Sequence, residues 1–181
     1  MLKQRVLTLV SLLILTAGTL GAWARPALAE HPPDLQRFAG QYAYQGTKDQ
    51  GQAIVDSAFD AAMQKLNMVM RLMMKKALSQ GFAETIVIAL PGDKIAVKVG
   101  DREPVPTAPG KTETVTREGR TGKLTQRLVG KSLEVVIEGD DGSVRNVFEL
   151  ASDGKTLKRS VTVKGPRLEK PVTYTLSYAR R

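Results

Sequence analysis

Residues 52–80 read QAIVDSAFDAAMQKLNMVMRLMMKKALSQ, and the period of this stretch separates it from everything that follows. Val55, Ala58, Phe59, Ala62, Met63 and Leu66 recur at three- and four-residue spacing, opposed by Asp56, Asp60, Gln64 and Lys65. That is the apolar stripe of a helix. Val69, Met70, Met73, Ala77 and Leu78 continue it against Arg71, Lys75 and Lys76, so acidic residues lead and basic residues trail, as the helix dipole favours. Gly46 to Gly51 supplies a break before the stretch and Gly81 a stop after it. A single helix of this length would span on the order of 40 Å at ~1.5 Å per residue, wider than a small domain, and Asn67 offers a turn between two shorter ones. The sequence leaves one helix or two open.

On either side the period is two. Before the stretch, Phe38, Gly40, Tyr42 and Tyr44 alternate with Ala39, Gln41 and Ala43, a half-buried first strand behind a loose leader at 30–34. After it, Ile86, Ile88 and Leu90 form one face, then Ile95, Val97 and Val99 after a turn at Pro91-Gly92-Asp93. Gly100 to Gly110 is Pro-rich and reads as a loop of low order. A polar strand at 112–117 follows, then Leu124, Gln126 and Leu128, then Leu133, Val135 and Ile137 with Glu134 and Glu138 outside. Gly139-Asp140-Asp141-Gly142 makes a hairpin. Val144, Asn146, Phe148 and Leu150 share the next face, Leu157, Arg159, Val161 and Val163 another, and Val172, Tyr174, Leu176, Tyr178 and Arg180 the last. One strand, a helical segment and about eight strands joined by tight turns describe a mainly β protein, an antiparallel up-and-down meander of about nine strands. With one apolar face each, the strands must close into a barrel or stack as two sheets, and closure also removes the edges.

The first 29 residues carry a basic start at Lys3 and Arg5, an apolar run from Val6 to Leu20, and Ala27-Leu28-Ala29. This is the pattern of a secretory signal peptide, with cleavage expected after Ala29 or, earlier, after Ala24. The expected organisation is therefore a signal peptide at 1–29 and one barrel domain at 30–181, with 52–80 as its helical lid, exported to the periplasm or the medium. Without Lys3, Arg5 and Arg25 the 27 basic residues become 24 against 18 acidic, and the net charge falls from +9 to +6. The charges are interleaved rather than clustered with aromatics, which argues against nucleic-acid binding and allows weak attraction to anionic lipid surfaces. Cysteine is absent from the sequence and His31, the one histidine, lies beside Pro32-Pro33 near the expected cleavage point. Thiol nucleophiles and thiolate metal sites are thereby excluded, and His31 is expected at a flexible terminus rather than in a catalytic or ligand role. No nucleophile motif, metal cluster or cofactor fingerprint is present, so the chain reads as a non-enzyme without a cofactor, and as a monomer.

The short aromatic strand Phe38-Ala39-Gly40-Gln41-Tyr42, a helical insertion directly after it and a run of hairpins together resemble the fatty-acid-binding-protein-like branch of the calycin barrels. Lipocalins share the Gly-x-aromatic start but place their helix after the barrel. The resemblance implies that residues 52–80 close a barrel mouth and that a few interior polar groups hold a ligand's carboxylate. The family's Arg-x-Tyr pair of the last strand is reversed here, as Tyr178-Ala179-Arg180.

Polar residues sharing a face with apolar ones are the candidates for such a site: Gln126, Asn146, Arg159, Tyr174, Tyr178 and Arg180, with Tyr42 on the first strand. Arg159 is the most informative, because Leu157, Val161 and Val163 flank it. A buried guanidinium is costly without a partner, and a carboxylate or phosphate of a ligand would supply one. The alternative is a rim position with a buried stem and a wet head. Tyr174 and Tyr178 serve equally as core aromatics. Phe59, Met63, Met70 and Met73 are candidates for a lid's inner face, methionine being adaptable at apolar surfaces, or for ordinary core. The expected function is an exported carrier of a small hydrophobic or amphipathic ligand with an acidic head. The alternative is an envelope interaction module with a filled barrel and a Met-rich docking helix.

Overall fold

A computed structural model describes residues 31–64, 81–117 and 119–181. Among them are two helices, α1 (Pro33–Gln36) and α2 (Lys48–Ala62), and nine strands: β1 (Gly40–Tyr44), β2 (Thr85–Ala89), β3 (Ala96–Val99), β4 (Thr112–Arg117), β5 (Arg120–Val129), β6 (Ser132–Gly139), β7 (Gly142–Leu150), β8 (Thr156–Lys164) and β9 (Val172–Arg180). The strands form one antiparallel sheet in the order β3-β2-β1-β9-β8-β7-β6-β5-β4. The meander is thus joined through β1 and β9, and its two edges are β3 and β4. The choice between a barrel and two stacked sheets falls to a single curled sheet.

Two local readings are corrected. The helix begins at Lys48, not Gln52, because Thr47 and Gln50 form a capping box: the Thr47 hydroxyl accepts the Gln50 N–H and the Gln50 side chain accepts the Thr47 N–H. Gly51 lies inside the helix rather than ending a break before it, and a Cβ there would sit 2.0 Å from the Phe82 ring. The leader is also structured in part, since α1 places Leu35 and then Phe38 in the core. Val55, Phe59 and Met63 form the buried side of α2, which packs on β9. The remainder of the 52–80 stretch, with Met68, Met70, Met73 and Met74, lies outside the described residues, and with it the choice between one helix and two.

Inward residues of β5 to β9 fall into cross-strand rows. Leu124, Ile137, Val144, Val163 and Val172 form the first, entirely aliphatic. Gln126, Val135, Asn146, Val161 and Tyr174 form the second, and Leu128, Leu133, Phe148, Arg159 and Leu176 the third. Leu150, Leu157, Tyr178 and Tyr44 of β1 form the fourth, and Arg180 opposite Tyr42 the next. Successive rows are two residues apart, about 7 Å along the strands.

On the outer face Glu134 is covered rather than solvated. Arg127 from β5 donates to its Oε2 at 3.2 Å and Arg145 from β7 to its Oε1, leaving Glu134 only 3% exposed. The Arg145 hydrogen bond is the first cause holding this carboxyl below the usual carboxylate range, with Arg127 adding to it against the opposing effect of burial.

A polar latch between the sheet edges and a valine-lined cavity

The two edges of the sheet are tied where β3 and β4 begin. Ile95 and Thr107 exchange backbone hydrogen bonds of 2.8 and 2.9 Å, an isolated bridge outside the ladders. Gln126 reaches the same point from β5. Its Nε2 lies 2.9 Å from Ile95 O, 2.9 Å from Val105 O and 3.0 Å from the Thr107 hydroxyl. An amide with two N–H groups facing three acceptors, 1% exposed, is a buried latch across the edges. The 100–110 segment therefore carries an ordered end: Thr107 is fully buried.

Above this latch is a cavity of about 220 Å³. Aliphatic side chains of the first two rows make one wall, Val97, Val99 and Val115 from the two edge strands with Val105 from the loop between them another, and Phe59 of α2 also contributes. Its polar lining comes from Gln126, Asn146, Arg159 and Tyr174, joined by Arg102 and Glu103.

Of the charged residues in the lining, Arg159 is the buried one, 5% exposed. Its Nε donates to Asn146 Oδ1 at 2.9 Å, a diagonal contact between the second and third rows, and its Nη1 lies 3.3 Å from Gly81 O. These acceptors are neutral, and the salt bridges among the described residues do not include Arg159. Gly81 O also accepts the Tyr174 hydroxyl at 3.0 Å, and Ala83 O the Tyr178 hydroxyl at 3.0 Å. Phe82 stands between them in sequence, its ring edge-on to Tyr44 at 5.2 Å. The strap 81–83, which leads into β2, is thus pinned to the barrel interior by three polar side chains. Burial raises the Tyr174 and Tyr178 phenols above their ordinary value, and the Arg159 guanidinium partly offsets this in both.

Of the residues singled out in the sequence, Gln126, Asn146, Arg159, Tyr174 and Phe59 come together around the cavity. Tyr178, Arg180, Tyr42 and Met63 are not among its lining residues. Tyr178 is one row beyond Arg159. Arg180 is two rows beyond, about 14 Å along β9 from Leu176, which sits in the Arg159 row. There it donates to the Tyr42 hydroxyl at 2.7 Å and to Arg37 O, with its guanidinium 5.2 Å from the Tyr42 ring centre. Tyr42 is fully buried, its hydroxyl given to Phe38 O at 2.8 Å, so this pair joins β1 and β9 to the α1 end. Burial is the first cause raising the Tyr42 phenol, against the lowering effect of Arg180. Met63 is fully buried at the end of α2 as core. Met70 and Met73 lie outside the described residues. Arg102 and Glu103 were missed because nothing in a Pro-rich loop carries a period that could place them.

No family model matches the sequence, and no curated protein sequence does. Solved structures do match. A secretory abundant heat soluble protein from Ramazzottius varieornatus superposes with a TM-score of 0.52 at 14% identity, over 80% of this chain and 96% of that one. A Schistosoma mansoni fatty acid binding protein in complex with arachidonic acid gives 0.51 at 19%, over 82% and 98%. Fatty-acid-binding protein 1 of Echinococcus granulosus gives 0.50 at 13%, over 80% and 98%. At these identities the likeness is one of fold, and it covers nearly the whole of each solved barrel.

Proposed function

We propose that this barrel of the fatty-acid-binding-protein-like fold is an exported, non-enzymatic carrier for a small hydrophobic or amphipathic molecule whose acidic head lies against Arg159. The observation that carries the reading is a guanidinium buried in the wall of an aliphatic cavity and held by neutral acceptors. Burial of such a charge without an opposite one is costly, and a ligand carboxylate would replace lost hydration with charge-assisted hydrogen bonds. Tyr174 and Asn146 stand beside it, one bonded to the shared acceptor Gly81 O and the other to Arg159 itself. The names of the similar barrels from Echinococcus granulosus and Schistosoma mansoni point to the same ligand class. Export rests on the signal-like pattern of residues 1–29, and the place of Met70 and Met73 on a lid rests on the periodicity of 52–80.

The test is displacement of a lipophilic fluorescent dye from the purified protein. Arg159→Met should weaken a carboxylate ligand by about ten- to a hundredfold, the worth of a charged hydrogen bond of ~1.5–3 kcal/mol, and leave the matching alcohol within about twofold. Absence of saturable binding by any amphiphile would refute the carrier, and equal losses for acid and alcohol would refute the role of Arg159.

A further inference from the structure

The carrier reading leaves the size of the ligand open, and the cavity speaks to it. Its volume, about 220 Å³, is below the ~300–1,000 Å³ of ordinary small-molecule pockets. At ~30 Å³ for each water-sized group, it holds about seven such groups. The rows give the second dimension. Arg159 is in the third row and Val163 in the first, four residues apart on β8, or about 14 Å at ~3.4 Å per residue. A head group on Arg159 therefore directs its tail across the second row toward the aliphatic side chains of Leu124, Ile137, Val144 and Val163.

Beyond the third row the interior is packed. Leu157 and Tyr178 of the fourth row are fully buried, no fourth-row residue lines the cavity, and Tyr178 closes on Ala83 O. The second row narrows the passage too, because its polar groups already have partners. The Gln126 amide is committed to the latch, Asn146 Oδ1 to Arg159 and the Tyr174 hydroxyl to the strap.

Resting on the carrier reading, we infer that the ligand is a compact monocarboxylate with an aliphatic tail, about six to ten carbons in all, and that the site selects against long chains. The floor under the tail is the latch, and the second row sets the width.

A series of linear monocarboxylates from four to eighteen carbons, displacing the same dye from the full chain as purified, reads this directly. Affinity should rise by about threefold or more per added methylene, the worth of ~0.8 kcal/mol each, reach an optimum between six and ten carbons and then fall by at least tenfold by sixteen. Val144→Phe, which fills the first row, should move the optimum down by two or more carbons, and circular dichroism of that variant keeps a folding defect separate. An optimum at fourteen carbons or longer overturns the inference and leaves the carrier standing. So does a dye that binds saturably and is displaced by neutral amphiphiles but by no carboxylate. An optimum unmoved in folded Val144→Phe overturns the placement of the tail.

Discussion

Replacing Gln126 by Leu tests the latch that ties the two sheet edges beneath the cavity. Leucine keeps the approximate shape and removes the amide, so the change isolates hydrogen bonding from cavity formation. Ile95 O retains the Thr107 N–H at 2.9 Å, whereas the half-buried Val105 O loses its 2.9 Å donor beside the buried Thr107. Two N–H groups at a net ~0.5–1.5 kcal/mol each, together with ~1–3 kcal/mol for a buried acceptor left without its donor, come to about 2–4 kcal/mol after some return from the added apolar surface. At ~2–4 °C per kcal/mol for a chain of this size, the melting temperature should fall by about 10 °C. Urea melts followed by circular dichroism give the free energy, and hydrogen exchange locates it: the Ile95 and Thr107 amides should lose protection while those at the centre of β7 and β8 keep theirs. Gln126→Glu adds a sign. An ionised carboxylate would face three oxygens with no proton to donate, so this variant should be worse than Leu at neutral pH and recover on acidification as a carboxylic O–H becomes available. A Gln126→Leu protein within ~0.5 kcal/mol of the parent, with unchanged exchange at Thr107, would refute the latch.

Three further outcomes follow from single contacts. Arg145→Met should cost about 1 kcal/mol at neutral pH, discounted because this arginine is half exposed. Since Glu134 titrates lower folded than unfolded, the stabilisation is present above the unfolded value and lost as pH falls through the folded one; denaturant melts of parent and variant should therefore converge in acid. Gly51→Ala ordinarily strengthens a helix by up to ~1 kcal/mol, but here the new Cβ meets Phe82 at 2.0 Å. A net loss of about 1–3 kcal/mol is expected in thermal melts, and a rise in melting temperature would contradict the packing. The phenols of Tyr42, Tyr174 and Tyr178 are all raised chiefly by burial. Folding holds their protons more tightly, so stability is complete below the ordinary phenol value and lost as pH rises through the higher folded values. An ultraviolet titration should show delayed phenolate formation coupled to alkaline unfolding, and three freely titrating phenols in a folded protein would refute it.

Period two was enough to say which side chains face inward. Leu157, Arg159, Val161 and Val163 share a face by counting alone, and so do Tyr174, Tyr178 and Arg180, because a strand turns its side chains by half a circle at each residue. Short turns between such strands force an antiparallel meander, and Val55, Phe59 and Met63 mark the buried side of the helix at its own period. Local chemistry could also have set the helix start, since Thr47-x-x-Gln50 is a capping box visible in the sequence, although the glycine at 51 masks it.

The level at which an inward residue sits along the barrel was decided by register, and register belongs to pairs of strands. Tyr174 reaches the cavity and Arg180, six residues later on the same face, closes the other end, because each two-residue step moves about 7 Å along the sheet. Loop residues Arg102 and Glu103 join the lining from a segment whose end the Ile95–Thr107 bridge holds. The period of residues 52–63 announced a helix packed on a β protein from its sequence alone. Where Phe59 and Met63 end up, one on the cavity and one in the core, is set by how that helix lies on β9, a choice made by packing between distant segments.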